Sequence, residues 1–338
     1  MKKMRWCPWV VLGAVLLFSL PTGLAAADPV VLKIGTLAPE GSTWTKVFRE
    51  INKELEQKTG KQVTLRVFPG GVLGDEEDML RKIKVGQIQG GFFTGGGLGI
   101  IFNDLRILAI PFLFESYKEV DALMGKMAGF FEKGFLANGY KIMGWGENGF
   151  IYLLSKQPIK NAADLRKGKV WIWEDTAIGR AVFKEIGVNP IPLGIPDVLV
   201  SLQTGMIDTV YGSPLAAISM QWFTRVSYLT DLPLSYSVGA LVVQKSAFDK
   251  IPKELQGPVE EIFRKHLDPM KTAIRQENQK ALGVMTRQGI KTVTPTAKDV
   301  SELQASVLKA VDPLGDSIFS RKTFEEIKGI LKSLRKEK

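Results

Sequence analysis

The chain has 338 residues, with 45 Lys or Arg against 35 Asp or Glu and a formal net charge of +10. With 45% apolar residues it can bury a sizeable core, and its length suggests two domains. A single cysteine and a single histidine argue against a disulfide scaffold and against a zinc or iron site of ordinary type, so no metal or cofactor is expected.

Lys2, Lys3 and Arg5 precede an apolar stretch from Val10 to Leu20, and Ala25-Ala26-Ala27 supplies the small residues that a signal peptidase reads. This pattern predicts a secretory signal peptide over 1–27, cleavage before Asp28 and export to the periplasm. The apolar stretch is well short of the roughly 20 residues that span a bilayer, which argues against a membrane anchor. Cys7 lies ahead of that stretch, where it cannot be the lipid-bearing cysteine of a lipoprotein. From residue 28 onward the chain has no cysteine, so a soluble protein held by its core alone is expected. Basic residues are scattered along helices, apart from the tail Lys332–Lys338, and nucleic-acid binding is not expected.

Alternating strands and helices begin at once. Val30–Gly35 reads as a buried strand. Ser42 can cap a helix with Trp44, Val47, Phe48, Ile51 and Leu55 on one face, ended by Gly60. Val63–Phe68 is the next strand, stopped by Pro69-Gly70-Gly71. Asp75 caps a second helix, with Glu76, Glu77 and Asp78 at its positive end, and Gln87–Thr94 forms a third strand. Such strand-helix-strand units imply an α/β fold, mostly parallel sheets flanked by helices.

Lys141–Ser155 is a long extended stretch interrupted by Gly144, Gly146 and Gly149. A strand at Lys169–Trp173, helices at Thr176–Ile186 and Asp197–Thr204, and a strand at Met206–Tyr211 follow. Leu232–Gln244 is again long and extended. Helices then dominate over 252–289, 297–312 and 321–336. Two long extended segments joining two α/β halves suit a hinged two-domain clamp, with 28–146 plus about 237–275 as one domain and 147–236 plus about 276–338 as the other.

Ligands of such sheets bind at the C-terminal ends of strands. This rule gathers Leu37–Ser42, Phe68–Leu73, Thr94–Gly97, Trp173–Thr176 and Gly212–Pro214 around one crevice, with Glu40 and Phe68 among the candidate contacts. Catalytic chemistry is thin. His266 lies in a Lys- and Glu-rich helix and reads as a surface residue. No Gly-x-Ser-x-Gly elbow or Walker loop occurs, and Gly95–Gly99 reads as a tight turn because its spacing does not fit Gly-x-Gly-x-x-Gly. Glu115 and Glu174 are acidic residues that could pair in a cleft.

Several strings together resemble the DctP-type solute-binding proteins of tripartite ATP-independent periplasmic (TRAP) transporters. They are Lys33–Ser42, Phe68–Gly74, Ile110–Phe114, Glu147–Phe150, Pro190–Pro192 and Leu202–Asp208, in the right order across residues 28–338. The resemblance implies a two-domain periplasmic-binding-protein clamp with a long helix bridging both lobes. It implies a small-molecule solute delivered to membrane permease subunits, without catalysis.

The departures shape the functional reading. Where the family reads Asn-Gly-Phe-Arg this chain has Asn148-Gly149-Phe150-Ile151, and where it reads Lys-Ile-Arg-Val this chain has Lys169-Val170-Trp171-Ile172. The second arginine is the family's clamp on the solute carboxylate. A Gln-Glu-Asn-Pro segment is replaced by Tyr211-Gly212-Ser213-Pro214. Leu37, Thr94 and Ile195 align with a polar, an acidic or polar, and an aromatic position at the site. An indole offers area and one donor in place of a charged fork of five. The expected site of Leu37, Glu40, Phe68, Thr94, Asn148, Ile151, Trp171, Trp173, Ile195, Tyr211 and Ser213 therefore suits an apolar, aromatic or uncharged solute. Trp171 and Trp173 alternate on one strand face, which either a cleft or a core would accept. The missing arginines resemble a subset of the family associated with a tetratricopeptide-repeat partner. An acid-binding variant using other donors, a periplasmic enzyme and a ligand-presenting sensory partner are the alternatives.

Overall fold

The computed structural model describes residues 28–173 and 177–336. The expected signal peptide over 1–27 and the stretch 174–176, with Glu174, lie outside the described residues.

The chain opens with β1 (Val30–Thr36), α1 (Thr43–Lys58), β2 (Val63–Phe68), α2 (Glu76–Lys84) and β3 (Gly90–Thr94). The three strands are parallel in the order β2-β1-β3, as crossovers through helices require. Ser42 caps α1, which buries Trp44, Phe48, Ile51 and Leu55 as its periodicity dictates. Asp75 and Asp78 form a capping box at the start of α2.

A helix, α3 (Gly95–Ile101), starts directly after β3. The glycine run expected to be a tight turn is therefore helical. Thr94 caps it by accepting the Gly96 N–H, and close packing excludes larger residues: a Cβ at Gly97 would meet Glu76 at 2.5 Å, and one at Gly99 would meet Arg106 at 2.6 Å. A 3-10 segment over Asn103–Ala109 leads to α4 (Tyr117–Ala137) and then to β4 (Tyr140–Ser155).

The next part of the chain holds α5 (Ala162–Leu165), β5 (Trp171–Trp173), α6 (Ala177–Glu185), β6 (Ile191–Leu193), α7 (Val198–Thr204), β7 (Thr209–Gly212), α8 (Pro214–Ser219) and β8 (Tyr228–Thr230). Then come β9 (Ser235–Gln244), α9 (Lys245–Phe248), α10 (Lys253–Arg287), β10 (Lys291–Val293), α11 (Ala297–Val311) and α12 (Arg321–Lys336).

Strand β4 belongs to both sheets of a two-domain clamp. Its first part runs antiparallel to β9, which pairs with β3, and its end pairs with β7 and β8. Parallel β5–β6 and β8–β10 pairs flank this antiparallel centre. The β4–β9 register shifts twice, between Ile142 and Gly144 and between Glu147 and Gly149. Gly149 has φ +95°, and a Cβ there would lie 2.7 Å from the Tyr117 hydroxyl and from Asn278 Nδ2.

Helix α10 has 35 residues, about 50 Å of length, and packs against α1, β4 and α8. Beneath it lies a buried charge network. The fully buried Glu147 accepts from Arg275 Nε at 2.8 Å and from the Tyr236 hydroxyl at 2.8 Å, and Arg275 also forks onto Asp121 at 2.6 and 2.7 Å. Bonding to Arg275 holds the Asp121 carboxyl below its ordinary range, and burial pushes the Tyr117 hydroxyl beside this network up to about 12.

Helix α12, near the end of the chain, packs on α4. Its Phe324, Ile327 and Leu331 join a core with Phe131 and Phe135, and Arg335 bonds Glu119 and the Leu113 carbonyl. The apolar stripe of α12 covers a face of α4 that water would otherwise reach. His266 is half-buried on α10, its Nε2 2.7 Å from Glu54 of α1, and so it is an interhelix contact instead of a surface residue.

Candidate functional site

A cavity of about 290 Å³ opens between the strand ends of the two domains. Nine expected residues line it: Leu37, Thr94, Asn148, Ile151, Trp171, Trp173, Ile195, Tyr211 and Ser213. Two do not. Glu40 is exposed and paired with Arg49, and Phe68 lies half-buried beside the Arg66 guanidinium, 5.1 Å from its ring centroid. Phe68 ends β2, which is the edge strand, and Glu40 is exposed on the loop before α1. Glu115 is likewise engaged elsewhere, with Arg335 at 3.3 Å.

Trp171 combines two roles. It is 1% exposed, stacks on Tyr211 at 4.7 Å and meets Trp222 edge-on at 5.5 Å. Its indole N–H donates to the Leu193 carbonyl at 2.9 Å, which satisfies its one polar atom. Trp171 is thus core that also forms cavity wall. Strand alternation sends Trp173 to the same face, where it is half-buried. Its backbone N–H donates to the Tyr211 hydroxyl at 3.1 Å, and its indole N–H donates to Asp75 Oδ2 at 2.8 Å.

The polar groups of the wall are largely engaged by the protein itself. Asn148 donates to Ser237 at 3.2 Å. Ser213 caps α8 by accepting the Ala216 N–H at 3.2 Å, and Thr94 caps α3. Glu76, expected only as a favourable charge at the start of α2, turns inward and is 2% exposed at the cavity. It accepts from the backbone of Thr94 and of Gly97, each at 2.6 Å. Burial pushes its carboxyl up to about 8 against the opposing pull of these bonds, and the neighbouring Asp75 adds to the rise.

Sequence reasoning missed Asp75 as a cross-cleft residue, and it also missed Arg106, Phe112, Met220 and Tyr236, all of which line the cavity. Arg106 is the one lysine or arginine among the described lining residues. It stood out in the sequence as an isolated cation in the apolar run Leu105–Phe114. Phe112 has φ +60°, an uncommon conformation for a bulky residue, and its N–H donates to the Leu234 carbonyl at 2.7 Å. No local signal marks that turn. Among the described residues no group of His, Cys, Asp and Glu could hold a metal, and no helix is long and apolar enough to cross a membrane.

A two-domain α/β clamp with its cavity between strand ends is the architecture of an extracytoplasmic binding protein. A family model described as DctP, bacterial extracellular solute-binding protein, family 7, matches residues 34–321, and the chain belongs to this family. Its members and fold are those of transport solute-binding proteins. Among its relatives, the 2,3-diketo-L-gulonate-binding periplasmic protein YiaO of Escherichia coli is 26% identical, covering 73% of this chain and 75% of that protein. The C4-dicarboxylate-binding periplasmic protein DctP of Rhodobacter capsulatus is 22% identical over 90% of this chain and 91% of its own length. The crystal structure of the sugar acid binding protein DctPAm from Advenella mimigardefordensis, in complex with galactonate, superposes with a TM-score of 0.84 at 18% identity, covering 90% of this chain and 99% of that one.

Proposed function

We propose that this protein is the periplasmic solute-binding component of a TRAP-type transporter that selects its solute by an apolar or aromatic body. It captures the solute between the two lobes and delivers it unchanged to membrane permease subunits. The observation that carries the reading is the identity of positions 151 and 171. The family pattern puts arginines there, and here Ile151 and Trp171 form cavity wall. Desolvating a carboxylate against an isoleucine and a stacked indole costs free energy that nothing at those two positions returns. Leu37, Ile151, Trp171, Trp173, Ile195 and Tyr211 together offer a lining suited to a flat or branched apolar body.

In this reading the lobes meet along β4 and β9, with the register shift at Glu147 and Gly149 as hinge and α10 as the bridge. The halves divide near residues 146 and 236, with α12 attached to the first. A tetratricopeptide-repeat partner, implied by the arginine-free pattern, belongs to the same reading.

A second reading has its own support. Relatives are named for acids, and Arg106 lines the cavity. An organic acid with its apolar end against Trp171 and its carboxylate towards Arg106 fits this arrangement. Mass spectrometry of small molecules released from the purified protein tests both readings. A neutral or aromatic compound supports the first and an aliphatic acid the second; a chemically altered product of an added solute would contradict both by indicating turnover.

A further inference from the structure

We propose that Asp75 is a positioning residue for the solute cavity, holding the Trp173 indole in place from across the cleft. The proposal rests on the apolar-cavity reading above. Asp75 stands between β2 and α2 as the cap of α2. Trp173 ends β5 and Ile195 opens the 3-10 turn after β6, 98 and 120 residues further along the chain. Asp75 Oδ2 accepts the Trp173 indole N–H at 2.8 Å and the Ile195 backbone N–H at 2.9 Å. Its Oδ1 accepts the Glu76 N–H at 2.7 Å, so one carboxylate caps α2 and also spans the cleft.

The surroundings are built for this approach. A Cβ at Gly194 would lie 2.9 Å from Asp75 Oδ2, and a Cβ at Gly96 would lie 3.0 Å from the Trp173 ring. Glycine at both places lets the carboxylate and the indole come together. Trp173 and Ile195 both line the cavity, so their donors fix two pieces of its wall. Bonds to an ionised acceptor are the stronger kind. The carboxylate that spans the cleft is therefore part of the protein, and closure needs no acidic group on the solute. A solute then packs on a ring already held in position, which lowers the ordering cost of binding.

The test uses the mature protein with three single variants. Trp173→Phe identifies the Trp173 indole signal in a proton–nitrogen spectrum by its loss. Asp75→Ser keeps a helix cap but is too short to reach the indole, whereas Asp75→Asn keeps one acceptor oxygen. The solute stand-in is the neutral fluorescent probe N-phenylnaphthylamine. In Asp75→Ser the indole signal should shift and its hydrogen should exchange with solvent on the order of tenfold faster. Probe affinity should fall about tenfold in Asp75→Ser and in Trp173→Phe, and by less than about threefold in Asp75→Asn. A residue that only capped α2 would leave the indole signal and the affinity of Asp75→Ser untouched, and that result overturns the proposal. A shifted indole with unchanged affinity overturns the positioning role as well. If the probe fails to bind the wild type, the apolar-cavity reading falls, and the indole signal alone then judges the bond.

Discussion

The β4–β9 crossing and the cavity treat buried polarity in opposite ways. At the crossing, Glu147 is fully buried and receives a guanidinium and a phenol, while Arg275 is shared with Asp121. In the cavity, the two positions where the family pattern has arginines hold Ile151 and Trp171, and Asn148, Ser213, Thr94 and Glu76 bond to other protein groups. The contrast teaches where this chain uses charge. Fixed ion pairs hold the crossing strands against α10, and the walls that meet the solute present mainly carbon.

Breaking the Glu147 network should give the largest effect. Arg275→Met leaves Glu147 buried without its cation and should cost about 3–5 kcal/mol in denaturant unfolding. A loss below about 1 kcal/mol, the range of exposed pairs, would remove the contrast between the two regions. Trp171→Ala comes next. Loss of a fully buried indole should cost about 3–4 kcal/mol of stability. Because Trp171 is also wall, solute affinity should fall in the same mutant, whereas a purely internal residue would leave the affinity of the folded fraction unchanged.

The third effect depends on pH. Burial raises the Glu76 carboxyl in the folded state from its ordinary 4.5 to about 8. Between those values the folded protein binds more protons than the unfolded chain, so stability falls as pH rises through this window. Glu76→Gln removes the titration. Melting temperature measured from pH 5 to pH 9 should fall more steeply for the wild type than for the variant, and parallel curves would contradict the assignment.

Much of the scaffold was legible in the sequence because period and punctuation agree there. Ser42 and Asp75 cap their helices, β2 spans Val63–Phe68 as read, and Arg321–Lys336 forms one helix. Gly95–Gly99, read as a tight turn from its spacing, opens a helix instead, because α3 needs bare backbone against Glu76 and Arg106. Alignment with the family pattern singled out Trp171, and strand alternation put Trp173 on its face, but neither told a cleft from a core there or at Tyr211. The tie between Asp75 and Trp173 was not legible, since it joins residues 98 apart and each has a sufficient local role. The inward turn of Glu76 was hidden for the same reason: a carboxylate in the first turn of a helix already has an explanation.

The central claim is that the cavity selects a solute by its apolar body. Calorimetric titration with the matched pair phenylacetamide and phenylacetate tests it most directly, since the two differ in charge and share a ring. The amide should bind at least as tightly as the acid. Binding of the acid more than about tenfold tighter, lost in Arg106→Ala, would contradict the claim and place the carboxylate on Arg106.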